Sequence, residues 1–503
     1  MPITSFYPSH LREIFTDRER ELAYLEQVAD ELIQGRPRYV ALFGLRRIGK
    51  TLLIKEQMAR LLEKGDVLPV YIDFEEICTA PELFAQRYVG WTSFWALTKG
   101  QDEPDAYLTA SSLLKVAAAS SPVTAQVAAS LQDELSRSRT DASLMLKLAF
   151  DFPERLAKEL DTPLILFLDE FQEITVLSHY PGIGDPLALF RAAIQRQERV
   201  AYVIAGSAIT VMEKMVQEHR SPLFLQFELL ELSSFTREAT VALARKWLPG
   251  ISTTAARQIH RLSGGHPFYI TALARRLGRM PWDGEITPEV VSYAFILEAL
   301  SPEGQIYHYC RYLYDVSLQR ARGYGVLKAI LQVLAEEEGL SLSEVARRIA
   351  KSPSATRGYL RWLMEVDLVV EEGKLYFYRD PVLRYWVAHM SKGVELYPPW
   401  PRREELRHLV EELETKYRRL SSELGLAKES EVRELLRRFN GQVVDGALLG
   451  VEGSIKLPYF RQVAPYRSPD GKVEIDALAE NGERWAVEIK WRGKMAGEKE
   501  IAS

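Results

Sequence analysis

The 503-residue sequence predicts an α/β protein of several domains, built on a mostly parallel sheet with helices on its faces. Apolar, strand-like runs begin near residues 38, 69, 164 and 200 and are separated by helical stretches, which is the order of a parallel sheet with crossover helices. A charged hairpin lies far from this sheet, near the end of the sequence. We therefore expect a second α/β unit there.

Composition is typical of a soluble globular protein, with 47% hydrophobic and 26% charged residues. The formal net charge of −5 argues against a uniformly basic coat, so any DNA contact must come from a local patch. The two cysteines, Cys78 and Cys310, offer neither a disulfide framework nor a metal cluster. The start lacks a signal-peptide pattern and no apolar run approaches the ~20 residues of a membrane span. The sequence thus predicts a cytoplasmic protein without a membrane partner.

The segment GLRRIGKT, residues 44–51, has the spacing of a phosphate-binding loop. It follows the strand-like RYVALF and precedes the helical TLLIKEQMARLLEKG, which is the context that such a loop requires. Its glycines let backbone N–H groups face phosphate oxygens, Lys50 would contact the β and γ phosphates of ATP, and Thr51 would ligate Mg²⁺. The expected nucleotide-binding residues are Gly44, Arg46, Arg47, Gly49, Lys50, Thr51 and Leu52. A glycine-rich turn without a ligand is the alternative.

Two further strand ends carry polar residues suited to ATP hydrolysis. In PLILFLDEFQEI, Asp169 would hold Mg²⁺ through water and Glu170 would orient the attacking water. In RVAYVIAGS, Ser207 would either sense the γ-phosphate or simply cap its strand. Residues from about 76 to 160 are rich in Ala, Leu and Ser, which predicts a helical insertion between two strands.

Several segments together resemble the archaeal ATPases of the signal-transducing STAND branch of the AAA+ superfamily. They are FTDREREL (15–22), GLRRIGKT, LFLDEFQ, the AGS strand end and SGGHPFYI (263–270). The resemblance implies an AAA+-like P-loop ATPase core over residues 1–245 and a helical lid over 246–320. It also implies that Phe15 and Arg18 lie near the adenine, that Pro267 contacts the nucleotide from the lid, and that ATPase domains assemble into a homo-oligomer.

One segment departs from this family. The family usually has a glycine and an arginine after SPL, whereas this sequence has Leu225 and Gln226. If that arginine contacts the γ-phosphate in the family, we expect hydrolysis by this protein to be slow or to use Arg220 instead.

Residues 321–395 predict a winged helix, because three helical segments precede an alternating hairpin, EEGKLYFYRD. Ser343 is the expected cap of the second helix. Arg357 and Arg361 on the third helix, with Lys374 on the wing, are candidate DNA contacts. Charges in this module nearly balance, so DNA reading and protein docking both remain open. Residues 396–424 follow as a helical connector.

The hairpin VEIDALAENGERWAVEIKW, residues 473–491, is the candidate second site. A two-residue loop at Asn481-Gly482 would place Asp476 opposite Val487, whereas an odd loop would gather Asp476, Glu488 and Lys490 on one face. In the second arrangement the two acids and the Ile489 carbonyl would ligate Mg²⁺ or Mn²⁺ and Lys490 would stabilise the attacking water. An ordinary hairpin with a charged outer face is the alternative.

An acid followed by E-x-K resembles the PD-(D/E)xK nuclease superfamily, although Ile475 replaces the usual proline. The resemblance implies a restriction-endonuclease-like α/β domain over residues 425–503, with Glu431, or second Glu434, completing the metal site. We therefore expect an ATPase that couples its nucleotide state to DNA binding and metal-dependent DNA cleavage. The alternative is a nucleotide-switch regulator or adaptor that binds DNA or protein through its winged helix and has a non-cutting tail.

Overall fold

The computed structural model describes two compact units, Met1–Trp400 and Pro401–Ser503. The described residues are 6–118, 120–280, 284–319, 323–337, 339–400, 405–413, 432, 435–436, 439, 441–445, 453–460, 462–467, 474–481 and 484–487. Among them no helix is both long and apolar enough to cross a lipid bilayer.

A five-stranded parallel sheet forms the centre of the first unit, in the order β2-β3-β4-β1-β5. Its strands are β1 (Tyr39–Phe43), β2 (Leu68–Asp73), β3 (Leu164–Asp169), β4 (Val200–Gly206) and β5 (Glu228–Glu231). The runs LILFLD and VAYVIAG are buried throughout because helices cover both faces of the sheet. Four of these strands agree with the sequence analysis, but β5 was missed because ELLE is short, charged and largely exposed.

Helices surround this sheet and fill the long connection between β2 and β3, as the composition of that segment predicts. The helices up to β5 are α1 (Ser9–Ile14), α2 (Glu19–Ile33), α3 (Lys50–Lys64), α4 (Phe74–Ile77), α5 (Pro81–Thr98), α6 (Ala110–Ala117), α7 (Pro122–Leu135), α8 (Ala142–Glu159), α9 (Pro186–Ile194) and α10 (Ile209–Gln217). Two 3₁₀ helices, Pro104–Tyr107 and Phe171–His179, lie between them. Buried aromatic side chains join α5 to α8, with the Phe84 and Phe150 rings 5.5 Å apart.

A second group of helices follows β5 and packs over the phosphate-binding loop. It comprises α11 (Arg237–Trp247), α12 (Thr253–Ser263), α13 (Pro267–Arg279), α14 (Pro288–Leu300) and α15 (Gln305–Gln319). Gly265, before α13, has a φ of +75°, and a Cβ atom there would lie 2.3 Å from the Phe235 carbonyl oxygen. Only glycine allows this approach, which seats the start of α13 beside the segment leading into α11.

Three helices and an antiparallel sheet, ordered β6-β8-β7, follow this group. The elements are α16 (Tyr324–Glu336), β6 (Leu340–Ser341), α17 (Leu342–Arg348), α18 (Pro353–Glu365), β7 (Val369–Glu372), β8 (Leu375–Tyr378) and a closing helix α19 (Pro381–Met390). The prediction that Ser343 caps the second helix is wrong. Ser341 caps α17 in a capping box with Glu344, since the helix begins one residue before Ser343.

The second unit contains short strands around a small core. Its described strands are β9 (Val443–Asp445), β10 (Ser454–Lys456), β11 (Gln462–Arg467), β12 (Glu474–Glu480) and β13 (Arg484–Val487). β10 pairs with β9, and β11, β12 and β13 form one antiparallel sheet. Leu436, Phe460, Val463, Ala477 and Ala479 form its buried core.

The loop of the terminal hairpin has an odd length. Glu480 pairs with Arg484 and Ala477 pairs with Val487, so three residues connect the strands and the two-residue alternative is wrong. Asp476 lies on β12, but its side chain is outside the described part of the chain. The other members of the predicted metal site, Glu431, Glu488, Ile489 and Lys490, also lie outside the described residues.

Candidate nucleotide-binding site

The loop between β1 and α3 is shaped by its two glycines. A Cβ atom at Gly44 would lie 2.6 Å from the Leu232 carbonyl oxygen, so this position requires glycine. Gly49 has a φ of +107° and occupies the N-cap position of α3, where it offers no side chain to the first turn. The N-terminal N–H groups of α3 are therefore suited to bind phosphate oxygens.

Lys50 is buried at the start of α3, with 5% of its surface exposed. Its Nζ donates hydrogen bonds to the carbonyl oxygens of Gly44, at 2.8 Å, and Leu45, at 3.1 Å. Burial lowers the pKa of Lys50 to about 8, against the opposing charges of Glu170 and Asp169. A bound phosphate would place a negatively charged group beside the Lys50 ammonium and favour its charged form.

Asp169, at the end of β3, is positioned by two hydroxyl groups. Thr51 Oγ1 donates to Asp169 Oδ2 at 2.7 Å, and the Tyr71 hydroxyl donates to the same oxygen at 3.1 Å. Burial raises the pKa of Asp169, while these two hydrogen bonds oppose the rise. Asp73 pairs with Asp169 in the β2–β3 register. Burial, and to a smaller extent the negative charge of Asp169, raises the pKa of Asp73 to about 6.

These oxygen ligands fit Mg²⁺. The Thr51 hydroxyl and the Asp169 carboxylate lie side by side, and hard oxygen donors are what this ion prefers. Across the described residues, no group of three or more His, Cys, Asp or Glu side chains could hold a metal ion by itself. Mg²⁺ at nucleotide sites characteristically uses one or two protein ligands together with phosphate and water, so the small ligand set is sufficient.

Glu170 is held by residues from two elements. Its Oε2 accepts hydrogen bonds from Ser207 Oγ at 2.8 Å, Ser207 N at 3.3 Å and Gln172 Nε2 at 2.5 Å. Glu170 itself has a φ of 48°, an unusual value for a residue with a side chain. Ser207 therefore contacts the candidate catalytic glutamate, and its role at the γ-phosphate stays a prediction.

Arg18 contacts both the phosphate-binding loop and the segment that follows β5. Its side chain is buried, with Nη2 2.7 Å from the Ser233 carbonyl oxygen and 3.5 Å from that of Ile48. The guanidinium also lies over the Phe235 ring, at 4.7 Å from its centroid. Burial lowers the pKa of Arg18. Phe15 is half-buried against the main core. The adenine-side roles of Phe15 and Arg18 stay predictions.

The group of helices after β5 contacts the loop through Arg46 and Arg47. The Arg46 carbonyl oxygen lies 3.1 Å from His266 Nε2 and accepts a hydrogen bond from the Tyr309 hydroxyl at 2.9 Å. The Arg47 guanidinium stacks over the rings of Phe268, at 4.6 Å, and Tyr309, at 5.1 Å. Both predicted arginines are thus engaged with this group, next to Pro267 at the start of α13.

Several contributors were missed by the sequence analysis. Gln172 and His266 lie inside the quoted segments LFLDEFQ and SGGHPFYI, but no contact was predicted for either, and Tyr309 lies in a helix without a motif. Tyr71 and Asp73 had a usable signal, because YID ends a strand that neighbours the strand ending in Asp169.

The family profile for ATPase domains found predominantly in Archaea matches residues 15–273, just over half of the 503 residues. The chain belongs to this ATPase family. A profile for the IclR helix-turn-helix domain matches residues 328–373 of the same ATPase, from within α16 to the turn after β7. A search of curated proteins gave no match.

Solved structures similar to this ATPase include three archaeal proteins. One is a Walker-type ATPase of Pyrococcus abyssi, with 19% identity, a TM-score of 0.49 and coverage of 74% of this chain and 96% of that chain. The ORC2 protein of Aeropyrum pernix in ADPNP-ADP complexes has 16% identity and a TM-score of 0.45. The match covers 75% of this chain and 95% of that chain. A STAND protein of Pyrococcus horikoshii with a tetratricopeptide repeat sensor has 15% identity and a TM-score of 0.28, covering 75% and 42%.

Proposed function

We propose that this protein binds ATP with Mg²⁺ and hydrolyses it around Lys50, and that the nucleotide state controls DNA binding by its helix-turn-helix region. The observation that carries the proposal is the convergence of Lys50, Thr51, Asp169 and Glu170 at one edge of the parallel sheet. Ligands of open α/β sheets bind at the carboxyl ends of the strands, which is where these residues lie.

Each residue has a separate task in this proposal. The N–H groups of α3 and the Lys50 ammonium would bind the phosphates, and Thr51 with Asp169 would hold Mg²⁺, which supplies charge neutralisation at the phosphates when bound. Glu170 would orient the attacking water. Ser207 and Gln172 fix one carboxylate oxygen of Glu170. That restraint orients the carboxylate before substrate arrives, so less reorganisation is needed during the reaction.

Binding and hydrolysis are tested by nucleotide titration and phosphate release with Lys50→Ala. We expect hydrolysis to fall by at least about 100-fold, since removing one preorganised charge partner of a transition state commonly costs that much. Lys64→Ala is the matched control, because it removes an exposed lysine from the far end of the same helix. Equal phosphate release by wild type and Lys50→Ala would contradict the proposal.

The candidate DNA surface lies on the helix-turn-helix region. A cavity of about 610 Å³ is lined in part by Arg357 and Arg361 of α18, by Lys374 in the turn between β7 and β8, and by Ser341 and Ser343. Cationic groups on one concave face suit DNA phosphates. Glu371 lines the same cavity and reduces its positive charge, so a protein partner is the alternative occupant.

We also propose that the helix-turn-helix region has a winged-helix arrangement. We further propose that the ATPase domains assemble into a homo-oligomer.

A metal-dependent nuclease site in the second unit is a second candidate function. The three-residue hairpin loop favours it, because that register is the one the predicted Asp476–Glu488–Lys490 site requires. Incubation with labelled flap, nicked and single-stranded DNA plus Mn²⁺ tests it, with Lys490→Ala beside wild type. Cleavage by wild type alone would support a nuclease. Equal inactivity would favour the non-cutting nucleotide switch.

A further inference from the structure

Helix α10, which directly follows Ser207, does not supply its own N-terminal cap. Its N-cap residue is Ala208, which has no side-chain oxygen. The cap comes instead from Asp367, far along the chain. Asp367 Oδ1 accepts from Thr210 N at 3.2 Å and from Thr210 Oγ1 at 2.8 Å, and the carboxylate also hydrogen-bonds the backbone of Ile209. The first turn of α10 is therefore fixed by a residue of the helix-turn-helix region.

Further contacts hold this junction together. Thr210 Oγ1 also lies 3.0 Å from the Met364 carbonyl oxygen, and Lys214 Nζ lies 2.8 Å from Glu365 Oε1. Arg379 Nη2 lies 3.4 Å from Asp367 Oδ1, and the Asp367 side chain is only 11% exposed. Because the Asp367 carboxylate is shielded from water, it is held in place more firmly than a carboxylate in an exposed ion pair.

The capped turn leads straight to the hydrolysis site. Ser207 lies two residues before Ile209, and its N–H and hydroxyl both donate to Glu170 Oε2. Since the backbone between Ser207 and α10 is so short, the position of the first turn sets the position of both donors. Loss of the Asp367 cap would loosen Ser207 and, through it, Glu170.

We infer that Asp367 is a positioning residue for ATP hydrolysis, supplied to the active site by the helix-turn-helix region. This inference rests on the proposed hydrolysis at Lys50 and goes beyond it by assigning a role to a residue outside the matched ATPase domain. Asp367 follows α18 closely, so the helix bearing the candidate DNA contacts Arg357 and Arg361 ends beside the residue that caps α10.

Steady-state ATP hydrolysis and equilibrium nucleotide binding by the full chain test the role. Asp367→Ala should lower kcat about tenfold, which matches the loss of one helix cap, and leave the Kd for ATP within about twofold. Asp367→Asn should keep kcat close to wild type, because asparagine caps helices as well as aspartate does. Asp141→Asn and Asp141→Ala are matched controls, since Asp141 caps α8 and lies in the insertion.

The outcomes separate this inference from the proposed function. No hydrolysis by wild type would remove the proposed function itself. Hydrolysis by wild type with unchanged kcat in folded Asp367→Ala would overturn only the positioning role, as would an equal loss in Asp367→Asn and Asp367→Ala. If Asp367→Ala does not fold, Thr210→Val decides: we expect kcat to fall about threefold with unchanged Kd for ATP, and no change in kcat overturns the inference.

Discussion

At the scale of single residues, the site depends on hydrogen bonds that hold its carboxylates in place. Asp169 and Glu170 are neighbours in sequence, yet different elements restrain them. Thr51 and Tyr71 bind Asp169, whereas Ser207 and Gln172 bind Glu170. Two adjacent acids can therefore serve separate tasks, one at the metal and one at the attacking water.

Tyr71 gives the first test of this separation. Tyr71→Phe removes one of the two hydroxyl donors to Asp169 Oδ2 and leaves the ring in place. We expect the Mg²⁺ concentration for half-maximal ATP hydrolysis to rise about fivefold, as for the loss of one hydrogen bond of ordinary strength, with little change in kcat at saturating Mg²⁺. The measurement is a Mg²⁺ titration of phosphate release.

Tyr39→Phe is the control for this variant. The Tyr39 hydroxyl donates to the Ile194 carbonyl oxygen at 2.7 Å, at the start of β1 and away from the carboxylates. A similar rise in the Mg²⁺ requirement for both variants would mean that loss of any hydroxyl hydrogen bond from this sheet matters, and that Tyr71 has no particular role.

We expect His266 to make the stability of the folded protein sensitive to acid. Burial lowers its pKa to about 4, compared with the ordinary value of 6.5, so the folded protein holds a neutral imidazole beside the Arg46 carbonyl. Between pH 6.5 and 4 the unfolded chain binds a proton that the folded chain does not, so stability is full above pH 6.5 and is lost as pH falls. The loss from this residue is at most about 3 kcal/mol.

His266→Gln should remove this dependence. The melting temperature of wild type should fall more between about pH 7 and about pH 4.5 than that of His266→Gln, which cannot gain a proton there. His10→Gln, at an exposed position, should behave as wild type. Parallel pH curves for all three proteins would show that His266 protonation does not limit stability in acid.

At the scale of helices and strands, apolar runs and loop motifs predict more than helix ends do. The runs at β1 to β4 predict the parallel sheet because continuous burial requires unbroken apolar sequence. β5 was missed because it lies at the edge of the sheet, where it pairs with β1, and its side chains are mostly exposed. The Ser343 prediction overlooked a local signal, because Ser341 is followed three residues later by Glu344, the spacing of a capping box, whereas Ser343 is followed at that spacing by Ala346.

The two serines form a direct test of that correction. Ser341→Ala should destabilise α17 by about 1 kcal/mol, because it removes the capping-box acceptor, whereas Ser343→Ala should change stability by less than about 0.5 kcal/mol. Amide hydrogen exchange over Leu342–Arg348 measures the local effect. Faster exchange in Ser343→Ala than in Ser341→Ala would favour Ser343 as the cap after all.

At the scale of the whole molecule, the sequence could not reveal where the ATPase domain and the helix-turn-helix region contact each other. Thr210 and Asp367 each look unremarkable in their local sequence, and 157 residues separate them. Their contact depends on the fold of the entire first unit. The predicted nuclease-like site differs from this contact, because its motif residues are close together in the sequence. Most of the residues of that site lie outside the described part of the chain.

The last prediction concerns DNA binding. Because the chain is acidic overall, DNA phosphates could bind only at a local basic patch. Arg357 and Arg361 are both exposed on α18 and line the same cavity. If both neutralise DNA phosphates, the double variant Arg357→Ala/Arg361→Ala should weaken binding. It should also reduce the slope of log K against log salt concentration by about 0.9 for each phosphate that is no longer neutralised. Fluorescence anisotropy with duplex DNA at several salt concentrations measures both effects.

Arg196→Ala is the matched control for this salt dependence. Arg196 is an exposed arginine paired with Asp151 on the ATPase core, far in sequence from the helix-turn-helix region. Removing it alters net charge without removing a proposed phosphate contact, so the slope should equal that of wild type. If the double variant kept the wild-type slope, DNA would not bind at this cavity. The acidic Glu371 beside the two arginines would then favour a protein as its occupant.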